Sequence, residues 1–156
     1  VFVREAGIDL HEVVAREPRL RFLMPLRNPL DCARSNFRKG HYRTFRQLRD
    51  QPVEAVIDFM TELVGWFLDL READPEHFFG YLETELDRSM VERLAAFLEL
   101  DMDETWAADC VQSKAEGHPY EYAASELEAY KRALETHLDR HPAVQQQFAE
   151  RAGLAG

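Results

Sequence analysis

The stretch RFLMPLRNPLDCARSNFRKG, Arg21 to Gly40, decides how the chain is built. Its first part, LRFLMPL (20–26), is a short apolar run of the length of a buried parallel strand. Pro25 weakens that reading, because a proline removes a ladder donor. Asn28 and Pro29 then open a helix. Asn is a good N-cap, Pro suits the first helical position, and Asp31 puts an acid in the first turn. The helix is predicted to run to about Lys39 and to stop at Gly40. Two polar residues mark this step from strand to helix. Arg27 ends the strand, and Ser35 lies six residues past Pro29, about 9 Å along the axis at 1.5 Å per residue.

Upstream, VFV (1–3) reads as a strand fragment, and IDLHEVVARE (8–17) carries Ile8, Leu10, Val13 and Val14 near helical spacing. Downstream, a helical stripe runs from Pro52 to Glu72 through Val53, Val56, Ile57, Met60, Val64, Phe67 and Leu68. HFFGYLE (77–83) is aromatic-rich and short, the mark of a strand. SMVERLAAFL (89–98) opens with Ser-x-x-Glu, a capping box. DETWAADCV (103–111) gives another short helix, and residues 112–122 have strong loop character. A last helix is predicted from about Ser125 to Leu138, with a short tail helix beyond His141-Pro142. Strands alternating with helices predict an α/β layered fold with a parallel sheet and flanking helices. Three candidate strands are few for such a sheet. The chain also opens Val-Phe-Val-Arg, as if in mid-strand, so the expectation is one partial domain over 1–156 with further strands upstream.

With 46% hydrophobic residues and 17 aromatics, the chain can bury a core. No apolar run approaches the roughly 18 residues of a membrane span, and no signal-peptide pattern opens it. Cys32 and Cys110 have no metal spacing and read as incidental thiols of a reducing, cytoplasmic compartment. Net charge is −10, which argues against general nucleic-acid binding. The charge is uneven, however. Residues 1–49 hold eleven Lys and Arg against five acids, and residues 50–156 hold eight against twenty-four. From Arg27 to Arg49 the single acid is Asp31, amid Arg27, Arg34, Arg38, Lys39, Arg43, Arg46 and Arg49. Each of these alone reads as a solvated cation; together they suggest a local anion site.

In open parallel sheets ligands bind beyond the carboxyl ends of the strands, where helix N-termini also point. Arg27 sits at such an end. A guanidinium fork and one hydroxyl suit a phosphate monoester. The competing readings are a serine bonded to its own helix backbone and an arginine in a surface ion pair.

LRNPLDCARSNF resembles the Arg-(Asn/Asp)-Pro-x-Asp-x-x-x-Ser signature of the PAPS-dependent sulfotransferases, with Arg27, Asn28, Pro29, Asp31 and Ser35 in register. In that family the arginine and serine hold the 3′-phosphate of 3′-phosphoadenosine 5′-phosphosulfate (PAPS). FFGYLETELDRSMVERLAAFLEL is similar to the family's Tyr-Glu-Asp-Leu strand and the helix that ends Leu-Gly-Leu, and Tyr81 matches a tyrosine that in some members lies near the adenine. The resemblance covers roughly residues 1–110. It implies a P-loop-like sulfotransferase fold, PAPS as cofactor, cofactor contacts from Arg27, Ser35 and Tyr81, and a small-molecule, carbohydrate or lipid acceptor. The departures are specific. Tyr-Leu-Glu-Thr stands for Tyr-Glu-Asp-Leu, and Leu-Glu-Leu for Leu-Gly-Leu. The phosphosulfate loop with its lysine, and the catalytic base, are expected upstream of Val1. The late Arg-Lys-Gly loop has at most a loose counterpart in Lys114 to Gly117.

Other groups carry less. The six histidines share no metal spacing; His137 and His141 read as a surface pair on the last helix, His118 as a loop residue, and His41 as an adjunct to the basic segment. Trp66 and Trp106 fall on apolar helix faces, and Glu83 and Glu85 need not converge. Two rivals stand beside the sulfotransferase reading. One is another P-loop-like transferase such as a small kinase. The other is a helical interaction module whose acidic half binds a basic partner.

Overall fold

The computed structural model describes residues 6–112 and 121–154. The protein is mixed α/β and helix-rich, with a two-stranded parallel sheet among the described residues. Its described residues gather into two compact units, one from Val1–Leu26 and Asp69–Glu116, the other from Arg27–Leu68 and Gly117–Gly156. The fragment VFV, the loop from Lys114 to Gly117 and His118 lie outside the described residues.

In the first unit, helix α1 (Leu10–Arg16) begins at Asp9, whose carboxylate accepts from the His11 amide at 2.9 Å. Strands β1 (Phe22–Leu26) and β2 (Phe78–Leu82) run parallel, pairing Phe22 with Phe78 through to Leu26 with Leu82. The Phe22 amide donates toward β2, to the His77 carbonyl at 2.7 Å. Amides alternate in direction along a strand, so the amides of Met24 and Leu26 share that side and position 25 faces the other edge. Pro25 therefore costs the β1–β2 ladder nothing, which is how a strand tolerates it here. Arg71, in the last turn of the helix Val53–Ala73, donates to the Gly80 carbonyl at 3.1 Å.

Helices α4 (Arg88–Phe97) and α5 (Glu104–Gln112) follow. The capping box expected at Ser89 is not the start of α4. Asp87 is the N-cap, accepting from the Met90 amide at 2.8 Å, and Glu92 instead bonds Arg88 at 3.0 Å. An acid two positions earlier wins because it reaches the free amides of the first turn. Arg88 also grips Glu104 with a bond of 2.6 Å. Leu26, Phe78, Leu82, Met90, Val91 and Ala95 are the buried centre of this unit.

In the second unit, helix α2 (Pro29–Lys39) leads through two 3₁₀ turns, His41–Thr44 and Arg46–Leu48, to the long helix α3 (Val53–Ala73), whose last turn is counted with the first unit. Helices α6 (Ala124–His137) and α7 (Pro142–Arg151) complete it. Helix α2 starts and stops as its sequence predicts. Asn28 caps it, Pro29 is its first residue, and Gly40 closes it at φ 71°, a left-handed cap that glycine adopts freely. Val56, Ile57, Val64 and Leu68 of α3 and Tyr130, Ala133, Leu134 and Leu138 of the α6 region are buried. A methyl group added to Gly65 would lie 2.3 Å from the His137 carbonyl oxygen, so α3 and the end of α6 are in backbone contact there. Among the described residues, no helix is long and apolar enough to cross a membrane.

Candidate functional site

The opening of α2 is built from within. Asn28 is buried, and its Oδ1 accepts from the Leu30 amide at 2.9 Å while its carbonyl accepts from the Cys32 amide at 3.0 Å. The cap fixes the direction in which α2 leaves Arg27, and Pro29 pre-sets the backbone of the first turn. Arg27 is half-buried at the carboxyl end of β1, with Nε fully shielded from solvent. Ser35 is half-buried on the second turn of α2. Thr61 and Thr136 show the usual fate of a helical hydroxyl, each donating at 2.8 Å to the carbonyl four residues earlier. Among the described residues, the Ser35 hydroxyl makes no such bond.

Two contacts hold α2 to the segment that starts α6. Asp31 is buried and accepts a hydrogen bond from the Tyr122 hydroxyl. Arg34 forms an ion pair with Glu126, whose side chain is 2% exposed. The other carboxylate oxygen of Glu126 accepts from the Ala123 amide at 2.8 Å, so one acid caps α6 and neutralises Arg34 together. Beside them Tyr130 is fully buried, and its hydroxyl has no hydrogen-bond partner among the described residues. Burial, reinforced by the negative charge of Asp31, pushes the Tyr130 hydroxyl well above its ordinary pKa.

These contacts redistribute the sequence reading. Arg27 and Ser35 flank the start of one helix in the second unit, as their spacing predicts. Asp31 shares a helical face with Ser35 by count, but its carboxylate is spent on Tyr122. Tyr81 lies on β2 in the first unit, half-buried, with the Phe79 ring centroid 6.5 Å away. Arg34 leaves the basic cluster for Glu126, and Arg43 lies against its neighbour Tyr42, with Nε 3.3 Å from the hydroxyl. His41 is exposed in the first 3₁₀ turn. His137 and His141 do not share a helix. His137 ends α6 and contacts Asp58 at 3.0 Å, whereas His141 is the N-cap residue of α7, because Pro142 starts a new helix.

Tyr122, Glu126 and Tyr130 were not singled out by sequence reasoning. One signal pointed to them: Asp31 and Arg34 are charges on the inner face of a short helix, and such charges need distant partners. The region after β2 adds a separate observation. Glu99 has φ 56°, the left-handed conformation that favours glycine, and it occupies the middle position of Leu-Glu-Leu. Its carboxylate bonds Arg21 at 2.9 Å.

Comparison with family models, curated proteins and solved structures yields no match.

Proposed function

We propose that this chain supplies the 3′-phosphate-binding half of a PAPS-dependent sulfotransferase of P-loop-like fold. The observation that carries the reading is the join between β1 and α2: a cationic fork at a strand's carboxyl end, an Asn-Pro cap, and a helical hydroxyl not spent on its own backbone. Glu99 supports it independently. The family pattern has glycine at this position, and Glu99 adopts a left-handed backbone of the kind that glycine favours.

In this reading Arg27 offers paired N–H donors to the phosphate oxygens and Ser35 offers one O–H, at an amide-rich helix start that favours an anion. The residues present fit a 3′-phosphate in charge and donor type. When bound, PAPS supplies an activated sulfuryl group for transfer to a hydroxyl or amine acceptor. Arg27 and Ser35 bind and orient; they carry out no bond-making step. Tyr81 is proposed to lie near the adenine.

The test is thermal denaturation of the full-length protein with 3′-phosphoadenosine 5′-phosphate or with 5′-AMP, in the wild type, Arg27→Ala and Ser35→Ala. The bisphosphate is expected to stabilise the wild type by about 2.7 kcal/mol at a hundredfold excess over Kd, with most of that lost in either variant. Equal stabilisation by the two nucleotides sinks the reading.

A further inference from the structure

The segment between α2 and α3 has a period that a sequence scan for α-helices passes over. Tyr42, Phe45 and Leu48 are buried, at 6%, 8% and 4% exposure. Arg43, Arg46 and Arg49, each one residue later, are all exposed. A repeat of three is the period of the 3₁₀ helix, and two short 3₁₀ turns, His41–Thr44 and Arg46–Leu48, lie in this stretch, parted by Phe45 in extended backbone. The buried residues pin the segment, and the three arginines remain in solvent.

Arg38 and Lys39, exposed in the last turn of α2, extend the same run of cations. No acid occurs between Cys32 and Arg49. Among the described residues, Arg38, Lys39, Arg46 and Arg49 form no ion pair, whereas Arg16, Arg19, Arg21 and Arg88 are all paired. Arg43 is steadied by the Tyr42 ring, 5.7 Å from centroid to guanidinium, and Asp50 is the acid that acts on it. In a chain of net charge −10, this concentration of arginine and lysine is a local reversal of sign.

We infer that the outer face of residues 38–49 is a docking surface for an acidic polysaccharide, a linear chain bearing carboxylate or sulfate groups. The arginine fork matches the paired oxygens of such groups, and three exposed forks in one short segment can each take a group of the same chain. Nucleic acid fits less well. The aromatic rings of the segment, Tyr42 and Phe45, are buried and leave no stacking platform for bases. A lipid surface also fits less well, because the exposed large apolar side chains, Ile8, Leu20, Leu23 and Leu100, all lie outside the segment. The inference stands apart from the sulfotransferase reading, and either can fail alone.

The test compares binding of the full protein to a short heparin oligosaccharide, a single-stranded oligothymidylate of equal charge, and phosphatidylserine vesicles. The variant is Arg43→Gln with Arg46→Gln and Arg49→Gln; a control, Arg16→Gln with Arg19→Gln, removes exposed charge elsewhere. The oligosaccharide is expected to bind best, with a log–log salt slope of about −2 for three contacts by counterion release. The triple variant is expected to weaken it about tenfold, and the control to leave it unchanged. Absence of oligosaccharide binding, equal binding by the triple variant, an equal loss in the control, or tighter binding of the oligothymidylate or the vesicles overturns the inference.

Discussion

Gly65→Ala sets two principles against each other. In an exposed helix interior the change stabilises by about 1 kcal/mol, because alanine is the better helix former. At Gly65 the new methyl carbon would stand 2.3 Å from the His137 carbonyl oxygen and 3.3 Å from its carbon, where ordinary contact begins at 3.4 Å. Relief needs a movement of roughly 1 Å, and the obstacle is main chain at the end of α6, so no rotamer change can supply it. Overpacking of this kind costs about 1–3 kcal/mol, and a backbone clash belongs at the upper end. The net expectation is a loss of about 2 kcal/mol, or roughly 4–8 °C in Tm for a chain of this size. Paired urea and thermal denaturation of wild type and variant measure it. A variant as stable as wild type, or more so, would show that α3 and α6 are not in backbone contact and would refute the packing argument.

Tyr130→Phe removes a buried hydroxyl with no hydrogen-bond partner among the described residues and is expected to be neutral or to stabilise by up to about 1 kcal/mol in denaturant unfolding. The raised Tyr130 pKa also sets a sign: the folded protein holds that proton more tightly, so stability is intact below pH about 10 and falls as pH rises beyond it, and the variant should lose that part of the slope. Arg34→Ala leaves the Glu126 carboxylate buried and uncompensated. About 2 kcal/mol should be lost, less than the roughly 3–5 of a fully buried pair because the arginine side chain is 37% exposed, and adding Glu126→Gln should restore part of the loss. Glu99→Gly relieves a left-handed backbone and should stabilise by about 0.5–1 kcal/mol in thermal unfolding; a loss would mean that the exposed bond to Arg21 outweighs the strain.

What could be read from the sequence was what local chemistry fixes. Asn28-Pro29 and Gly40 bound α2 because capping and left-handed closure are properties of single residues. Both strands declared themselves by length and composition. Pro25 seemed an obstacle because a linear sequence does not reveal which edge of a strand a position faces. At α4 the error was a competition between two nearby caps, Asp87 and Ser89, either of which satisfies the pattern. The supports of the candidate site are of another kind. Asp31 and Tyr122 are 91 residues apart, and Arg34 and Glu126 are 92; no periodicity connects them, since only tertiary packing brings them together. Arg43, Arg46 and Arg49 read from the sequence as part of a basic run, but their three-residue alternation with Tyr42, Phe45 and Leu48 fits neither the strand nor the α-helix period, so which side of the segment is buried was not legible.

The order in which the two units draw on the chain has a consequence for synthesis. Neither is a continuous piece: the backbone leaves the first at Leu26, returns to it at Asp69, and leaves again after Glu116. A ribosome delivering this polypeptide therefore releases β1 well before β2 exists to pair with it, and releases Asp31 and Arg34 long before Tyr122 and Glu126. Both units must wait for late segments, so truncation from the C-terminal side should remove α6 and strand two charges of α2 without partners. The departure at Leu26 falls beside Arg27, so the residue proposed to hold the nucleotide's phosphate stands where the nascent chain passes from one assembly to the other.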